Sequence, residues 1–319
     1  MSTELATTFD QQTNSTRVLE AQFAPLEDYI KDPSVTDLMI NSDGSVWIDN
    51  GRGSPKSIDV TLTKAHRFSI IHELAGYHDL ICARESPTLA CRLPAFWEGC
   101  GGRVNAIVPP ISDAPEMCIR FPSRVKLSLE DLVAKKTLTR LQARQLRRCV
   151  REKRNIVIAG GTGSGKTTLA NALLDLITDE RLGIIEDTPE IFLNNKNTYY
   201  WATTATFSAR DAVKASLRHR PDRIILGEVR DSAALDWCKA AQSGHPGSVC
   251  TVHASSAAGV HSRIYSLMQE VVVTPSDELI DSAIDVTVFM DRVTTRSNAT
   301  VRKVQEILDS SKTSLKELT

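Results

Sequence analysis

The pattern of hydrophobic and polar positions changes along the chain near residue 122. Before residue 122, short strand-like runs are separated by turn residues and by one segment with helical spacing. After residue 122, apolar runs of strand length alternate with helical stretches. Strands that are apolar on both faces and separated by helices are typical of a parallel sheet covered on both sides. The pattern therefore predicts a smaller α+β domain, residues 17–122, followed by an α/β domain with a mainly parallel sheet.

The N-terminal part contains signals for a hairpin, a helix and two further strands. Asn41-Ser42-Asp43-Gly44 is a turn sequence between two apolar runs, and Pro109-Pro110 separates two later ones. Residues 1–16 are rich in Thr, Gln and Ser, which predicts a disordered tail. The predicted elements are a hairpin of Asp37–Ile40 with Ser45–Ile48, a helix over Thr63–Tyr77, and strands over Arg103–Val108 and Met117–Phe121.

The C-terminal part begins after a polar, basic connector, for which we predict a linker over residues 123–135. Helices are predicted over Ser128–Val133 and Thr139–Glu152, and residues 136–319 form the predicted α/β domain. The predicted strands of this domain are Ile156–Ala159, Gly183–Glu186, Arg223–Leu226, Val249–Val252 and Asp285–Met290.

Composition narrows the possible classes of protein. The chain has 319 residues and a formal net charge of −1, which does not indicate a broadly basic surface for nucleic acid. No apolar stretch approaches the ~18 residues that span a bilayer, and the polar N-terminus lacks the features of a secretory signal. Seven cysteines without a C-x-x-C pair argue against a disulfide framework and a zinc ribbon. We therefore expect a cytoplasmic protein whose membrane contact is peripheral.

A phosphate-binding loop follows the apolar run Ile156–Ala159. The sequence GGTGSGKT matches G-x-x-x-x-G-K-[ST], and its strand–loop–helix setting favours this interpretation over a glycine-rich turn that happens to contain lysine. Backbone N–H groups and the helix N-terminus would hold the phosphates of a nucleoside triphosphate, with Lys166 as a point charge and the Thr167 hydroxyl on Mg²⁺. The predicted nucleotide-binding residues are Gly160, Gly161, Thr162, Gly163, Ser164, Gly165, Lys166, Thr167 and Thr168.

An acid ends a later apolar strand, as expected for a P-loop enzyme. Glu228 follows the run Arg223–Leu226, and at the carboxyl end of a parallel strand it would lie beside the γ-phosphate. There it could orient the attacking water, although a strand-end glutamate that faces solvent is the alternative. Gly227 stands where an aspartate usually precedes this acid, so Mg²⁺ would depend more on Thr167, phosphate oxygens and water.

Further charged residues lie close to predicted strand ends. Glu186, Asp187 and Glu190 follow one such strand and could hold a metal-bound water or act as the base, but surface charges in a turn are as good an explanation. His253 ends the strand Val249–Val252 and could sense the γ-phosphate, although an isolated histidine is more often structural.

Four arginines are candidates for phosphate contacts. Ser208 to Asp211 resembles a capping box, which places Arg210 at the start of a helix and Arg218 just after its end. Both could act as arginine fingers, while interaction with the helix dipole is the alternative for Arg218. Arg103 and Arg120 lie on predicted strands of the first domain, and spacing alone does not assign them to phosphate.

Four segments together resemble the secretion traffic ATPases, the motors of type IV secretion, type II secretion and type IV pili. The order of the segments also matches that family, and the N-terminal half resembles its conjugation branch through VTDLMINSDGSVWID, GGRVNAIVPP and CIRFPS. The four segments are GGTGSGKTT (160–168), IIEDTPE (184–190), LRHRPDRIILGEVRD (217–231) and GHPGSVCTVHA (244–254).

The resemblance implies a RecA-like fold and a role for each matched position. Lys166 and Thr167 match the Walker A pair, and Glu228 matches a Walker B acid that glycine normally precedes in this family. His253 matches the His box. The implied metal positions are Thr167, Glu186 and Glu228, and Glu186, Asp187 and Glu190 together match the Asp box.

For the arginines, the resemblance implies contacts with nucleotide phosphates. Arg103 and Arg120 match residues that approach the phosphates as two domains close, and Arg210 and Arg218 match an arginine-rich box. Whether these arginines act within one subunit or across the boundary between two subunits stays open.

The resulting hypothesis is a cytoplasmic ATPase, with ATP and Mg²⁺, that powers a conjugative type IV secretion apparatus. The resemblance implies a hexameric ring at the cytoplasmic face of the inner membrane, in contact with inner-membrane components of the apparatus. Alternatives are a pilus or type II secretion ATPase, a motor that translocates DNA directly, and a nucleotide-gated scaffold that scarcely hydrolyses ATP. Near-neutral charge counts against the DNA motor, and Glu228 against the scaffold.

Overall fold

Two structural units divide the chain after Val125: Met1–Val125 and Lys126–Thr319. The computed structural model describes residues 15–51, 54–94, 96–97, 101–122, 126–204, 206–294 and 300–310. Residues 1–14 of the predicted disordered tail lie outside the described residues, and residues 15–16 belong to a helical segment, α1, over 15–23.

The first unit contains a six-stranded antiparallel sheet in the order β3-β2-β1-β6-β5-β4. The predicted hairpin is β1–β2, and the predicted helix is α3. Strands β3 and β4 were not predicted. After α1 the elements are a 3₁₀ helix (Ala24–Leu26), α2 (Glu27–Lys31), β1 (Asp37–Ile40), β2 (Ser45–Asp49), β3 (Lys56–Thr61), α3 (Lys64–Tyr77), β4 (Thr88–Leu93), β5 (Gly102–Ile107) and β6 (Glu116–Arg120).

The hairpin turn of the first unit is fixed by a glycine and a buried arginine. Gly44 has a φ of 93°, and a Cβ atom there would lie 2.4 Å from the Leu62 carbonyl oxygen. The Arg67 side chain is buried and donates hydrogen bonds to the carbonyl oxygens of Ser42, Leu62 and Pro115. One cation therefore satisfies three buried carbonyl groups and holds the loops around the start of α3 together.

The second unit alternates strands and helices. The predicted linker of residues 123–135 overlaps α4, whose Leu129 and Leu132 are buried in the core of this unit. The elements are α4 (Leu129–Ala134), α5 (Arg140–Arg151), β7 (Ile156–Gly160), α6 (Lys166–Leu174), β8 (Leu182–Glu186), β9 (Thr198–Ala202), α7 (Ala209–Ser216), β10 (Arg223–Val229), α8 (Ala233–Gln242), β11 (Val249–Val252), α9 (Gly259–Met268), α10 (Asp277–Ala283), β12 (Val286–Thr294) and β13 (Thr300–Asp309).

The sheet of the second unit has the order β13-β12-β7-β11-β10-β8-β9. Every neighbouring pair is parallel except β12 and β13. Alternate residues of β7 face opposite cores, because Ile156 and Ile158 pack on one side and Val157 and Ala159 on the other. The predicted α/β class with a mainly parallel sheet is confirmed, and the carboxyl ends of β7, β8, β10 and β11 meet at one edge.

Hydrogen-bonded caps define where several helices begin. Reciprocal capping boxes join Ser128 to Asp131, Thr139 to Gln142, and Ser208 to Asp211, the last as predicted. Within the described ranges, the helices are too short or too polar to cross a membrane.

Candidate active site

The phosphate-binding loop connects β7 to α6 and has a backbone that requires glycine. A Cβ atom at Gly160 would lie 2.2 Å from the Met290 carbonyl oxygen of β12. Gly163 and Gly165 have φ angles of 70° and 98°, and Gly165 is the N-cap of α6. Side chains at these positions would strain the loop, so its glycines follow from its shape. The predicted loop is therefore present, in its predicted strand–loop–helix setting.

Lys166 is buried inside this loop and is held by its carbonyl groups. Its Nζ atom donates to the carbonyl oxygens of Gly160 and Gly161, both at 3.0 Å. Burial lowers the pKa of Lys166, and the negative charges of Glu228 and Glu190 oppose that shift. The ammonium group thus lies where phosphate oxygens would replace the two carbonyl oxygens as its partners.

Glu228 and His253, which were predicted separately, are in direct contact. Glu228 is on β10, His253 follows β11, and Glu228 Oε1 lies 3.1 Å from His253 Nε2. Burial and the Lys166 cation lower the pKa of His253, whereas the Glu228 carboxylate opposes the shift. A largely neutral imidazole beside a carboxylate can accept or donate a proton near the end of β10.

Arg230 is a site residue that the sequence analysis missed. Its Nη2 atom donates to Glu228 Oε2 at 2.5 Å, and its Nη1 atom donates to Asp187 Oδ2 at 2.6 Å. The guanidinium group therefore bridges the two carboxylates. The hydrogen bond with Glu228 contributes most to a raised pKa of Arg230. Residues 228 and 230 are two apart at the end of a strand, a spacing that places side chains on one face and could have indicated this pair.

Of the three acids of the predicted Asp box, Glu190 is partly buried, and Glu186 and Asp187 have contrasting partners. Glu186 is buried at the end of β8, and its carboxylate accepts hydrogen bonds from the backbone N–H groups of Glu190 and Ile191 at 3.2–3.3 Å. Burial raises the pKa of Glu186 to about 8, despite these hydrogen bonds. Asp187 instead pairs with Arg230. Glu186 therefore shapes the 186–191 turn, and Asp187 is the Asp-box acid that contacts the Glu228 cluster.

The four predicted arginines are distributed over both units. Arg210 pairs with Asp236 of α8 at 2.7 Å, and Arg218 is exposed beyond the end of α7. In the part of the second unit that the structure describes, neither side chain hydrogen-bonds to the phosphate-binding loop. Arg103 and Arg120 face each other across β5 and β6 of the first unit, and Arg120 Nε donates to Asp37 at 2.8 Å. The role of these arginines at phosphates stays a prediction.

The side chains at this edge suit a metal ion that shares its ligands with phosphate. The described residues contain no group of three or more His, Cys, Asp or Glu side chains arranged to hold a metal. Thr167 is in the first turn of α6, and Glu228 is the penultimate residue of β10, the strand beside β11. One hydroxyl and one carboxylate, completed by phosphate oxygens and water, are a ligand set typical of Mg²⁺.

Comparisons with known proteins show the family of this chain. A family model described as "Type II/IV secretion system protein" matches residues 20–317. The conjugal transfer protein TrbB of Rhizobium radiobacter is 35% identical over 291 residues, 88% of this chain and 84% of that protein. The type IV secretion system protein VirB11 of Bartonella henselae is 30% identical over 295 residues, 79% of this chain and 82% of that protein.

The fold is also similar to that of solved structures. The crystal structure of the pilus retraction motor PilT with bound ADP has a TM-score of 0.69 and 17% identity, with coverage of 94% of this chain and 88% of that one. The ATPase DotB of Legionella pneumophila has a TM-score of 0.64 and 18% identity, with coverage of 91% and 81%. At these identities the two structures support the predicted RecA-like fold.

Proposed function

This chain belongs to the type II/IV secretion system protein family and is an ATPase, and we propose that it hydrolyses ATP to power a type IV secretion apparatus for conjugative transfer. The family membership confirms the resemblance found in the sequence. The names of the relatives, a conjugal transfer protein and a type IV secretion protein, favour this apparatus over type II secretion or a pilus motor.

The contact between Glu228 and His253 carries the proposal of hydrolysis. Glu228 on β10 and His253, just after the neighbouring parallel strand β11, meet at 3.1 Å on the edge where the phosphate-binding loop begins. A loop alone would support nucleotide binding only. A carboxylate with an imidazole beside it adds the groups that orient a water molecule for attack on the γ-phosphate.

The loop would bind the β- and γ-phosphates through its backbone N–H groups and the N-terminus of α6. Lys166 would exchange the carbonyl oxygens of Gly160 and Gly161 for phosphate oxygens, which would move its charge onto the reacting group. Glu228 would then hold the attacking water, with its other oxygen fixed by Arg230. His253, largely neutral at pH 7, would respond to the charge of the γ-phosphate through the same carboxylate.

Mg²⁺ would be held by the Thr167 hydroxyl, with Glu228 reaching it through water. When bound, the ion would neutralise charge on the β- and γ-phosphate oxygens. Glu186 was also predicted as a metal residue, but its carboxylate already accepts backbone hydrogen bonds. We therefore propose that Glu186 positions the 186–191 turn and that Thr167 and Glu228 are the metal residues.

The proposed assembly is a hexameric ring at the cytoplasmic face of the inner membrane, where it would contact membrane components of the apparatus. In the ring, ATP hydrolysis would drive movement of the two units of each subunit. The support for this assembly is the relationship to TrbB and VirB11 over most of the chain.

Phosphate release from Mg-ATP, measured against protein concentration, tests the proposal. Lys166→Ala, which removes the phosphate-binding cation, provides the blank. We expect release that depends on Lys166 and a specific activity that rises with concentration as the ring assembles. Release no greater than that of Lys166→Ala at any concentration, with or without membrane vesicles, would contradict an ATPase motor and favour the nucleotide-gated scaffold.

A further inference from the structure

Two arginines of the C-terminal hairpin lie beside the phosphate-binding loop. Arg292 of β12 and Arg302 of β13 are directly opposite in the antiparallel register, so their side chains share one face. Arg302 Nε donates to the Gly163 carbonyl oxygen at 2.9 Å, and its Cδ lies 3.3 Å from where a Gly165 Cβ would be. Arg292 NH1 lies 3.8 Å from the corresponding position at Gly163.

These two cations have no anionic partner within the described part of the chain. Other arginines of the second unit, such as Arg154, Arg223 and Arg230, pair with carboxylates, but no described carboxylate is within salt-bridge distance of Arg292 or Arg302. Like charges directly opposite one another destabilise a strand pair. An external anion that bridges both guanidinium groups would remove that repulsion.

The order of strands shows which end of a nucleotide would reach the arginines. Glu228 on β10 and His253, which follows β11, lie on one side of β7, whereas β12 and β13 lie on its other side. A triphosphate with its γ end at Glu228 and its β-phosphate in the loop would extend its α-phosphate and base toward β12 and β13. Guanidinium groups bind phosphate oxygens in a fork and also stack on aromatic rings.

We propose that Arg292 and Arg302 form a subsite for the nucleoside 5′-monophosphate end of the bound nucleotide. This inference rests on the proposed function, since it takes the γ-phosphate to lie at Glu228. Arg302 would contact the α-phosphate while it holds the loop at Gly163, and Arg292 would contact the same end of the nucleotide without bonding to the loop.

The test compares ADP with inorganic pyrophosphate in calorimetric titrations of the full chain. Pyrophosphate can occupy the loop but has no nucleoside end. We expect Arg292→Gln to weaken ADP binding about tenfold and to leave pyrophosphate binding within about twofold. Lys303→Gln is the matched control, because residue 303 pairs with Asp291 and faces the other side of the hairpin. Its affinities should equal those of the unmodified chain.

Two results would overturn the subsite. In the first, Arg292→Gln and Arg302→Gln both bind ADP as tightly as the unmodified chain does. In the second, Arg292→Gln loses affinity for ADP and for pyrophosphate by the same factor. That result would mean that the arginine supports the loop as a whole. Failure of the proposed function is distinguishable, because it would show as phosphate release from Mg-ATP no greater than that of Lys166→Ala, whereas the subsite is tested by ADP and pyrophosphate binding, which needs no hydrolysis.

Discussion

Gly227 lies so close to Glu186 that a Cβ atom at residue 227 would be 2.6 Å from Glu186 Cγ. The same atom would be 3.0 Å from Glu186 Oε1. Glycine therefore precedes Glu228 because the buried Glu186 side chain of the neighbouring strand β8 fills the space that an aspartate would need. The departure from the usual Asp-Glu pair reflects a packing contact between two adjacent strands.

Substitution Gly227→Ala should displace Glu186 and release the 186–191 turn. Overpacking of this kind costs about 1–3 kcal/mol of the free energy of unfolding, and we expect ATP hydrolysis to fall about tenfold or more. Urea unfolding and phosphate release would measure both effects. Gly76→Ala is the matched control, since a Cβ atom on that helical glycine would meet nothing within 4 Å. A Gly227→Ala variant as stable and active as Gly76→Ala would contradict the packing argument.

Glu186 should make the stability of the protein depend on pH. Its pKa of about 8 in the folded chain exceeds the ordinary value of 4.5, so the folded state binds more protons than the unfolded state between these values. The free energy of unfolding should therefore decrease as pH rises from about 4.5 to about 8, by an amount on the order of a few kcal/mol, and this contribution should be constant above that range.

Glu186→Gln provides the comparison for this dependence. Glutamine keeps the shape and the acceptor oxygen for the N–H groups of Glu190 and Ile191 but does not ionise. Denaturant unfolding at several pH values between 5 and 9 should show a smaller decrease in stability for Glu186→Gln than for the unmodified chain. Parallel curves for the two proteins would mean that Glu186 stays ionised when buried.

Arg230 should act on catalysis through Glu228. Without the guanidinium, Glu228 would lose the contact that fixes one of its oxygens, and Asp187 would lose its link to that acid. We expect Arg230→Gln to lower kcat about tenfold while KM for ATP changes little, because the loop that binds phosphate is untouched. Arg230→Lys should recover only part of kcat, since one ammonium cannot hold both carboxylates in the same geometry.

The control for Arg230 is Arg148→Gln, which removes an exposed arginine paired with Glu152 on α5. That variant should retain kcat and KM. A rise in KM for Arg230→Gln with kcat unchanged would show instead that Arg230 contributes to nucleotide binding.

Sequence alone predicted the parts of the site that local pattern determines. The loop 160–167 needs particular residue types in a fixed order, and a strand that is apolar on both faces, such as β7, is expected to be buried. The spacing of Glu228 from a strand end was enough to place it at the right edge of the sheet.

Other features depend on partners that are remote in the chain and so were not predictable. Arg210 is paired with Asp236, which lies on another helix, and no local pattern indicates that contact. Strand β13 has polar residues at many positions because it pairs with β12 at the sheet edge, so it lacks the apolar run of a buried strand. The arrangement of Arg292 opposite Arg302 follows only from the register of that hairpin.

The pairing of Arg210 with Asp236 leads to a prediction that separates two roles for Arg210. The 2.7 Å contact joins α7 to α8 and is partly buried, so we expect Arg210→Gln and Asp236→Asn each to lower the free energy of unfolding. A double-mutant cycle should give a coupling of about 1 kcal/mol between them. If the arginine acts through this pair, the two single variants should lose ATP hydrolysis to the same extent. A large loss of kcat in Arg210→Gln alone, with Asp236→Asn active, would instead assign Arg210 to the nucleotide phosphates, the role that the family resemblance implies.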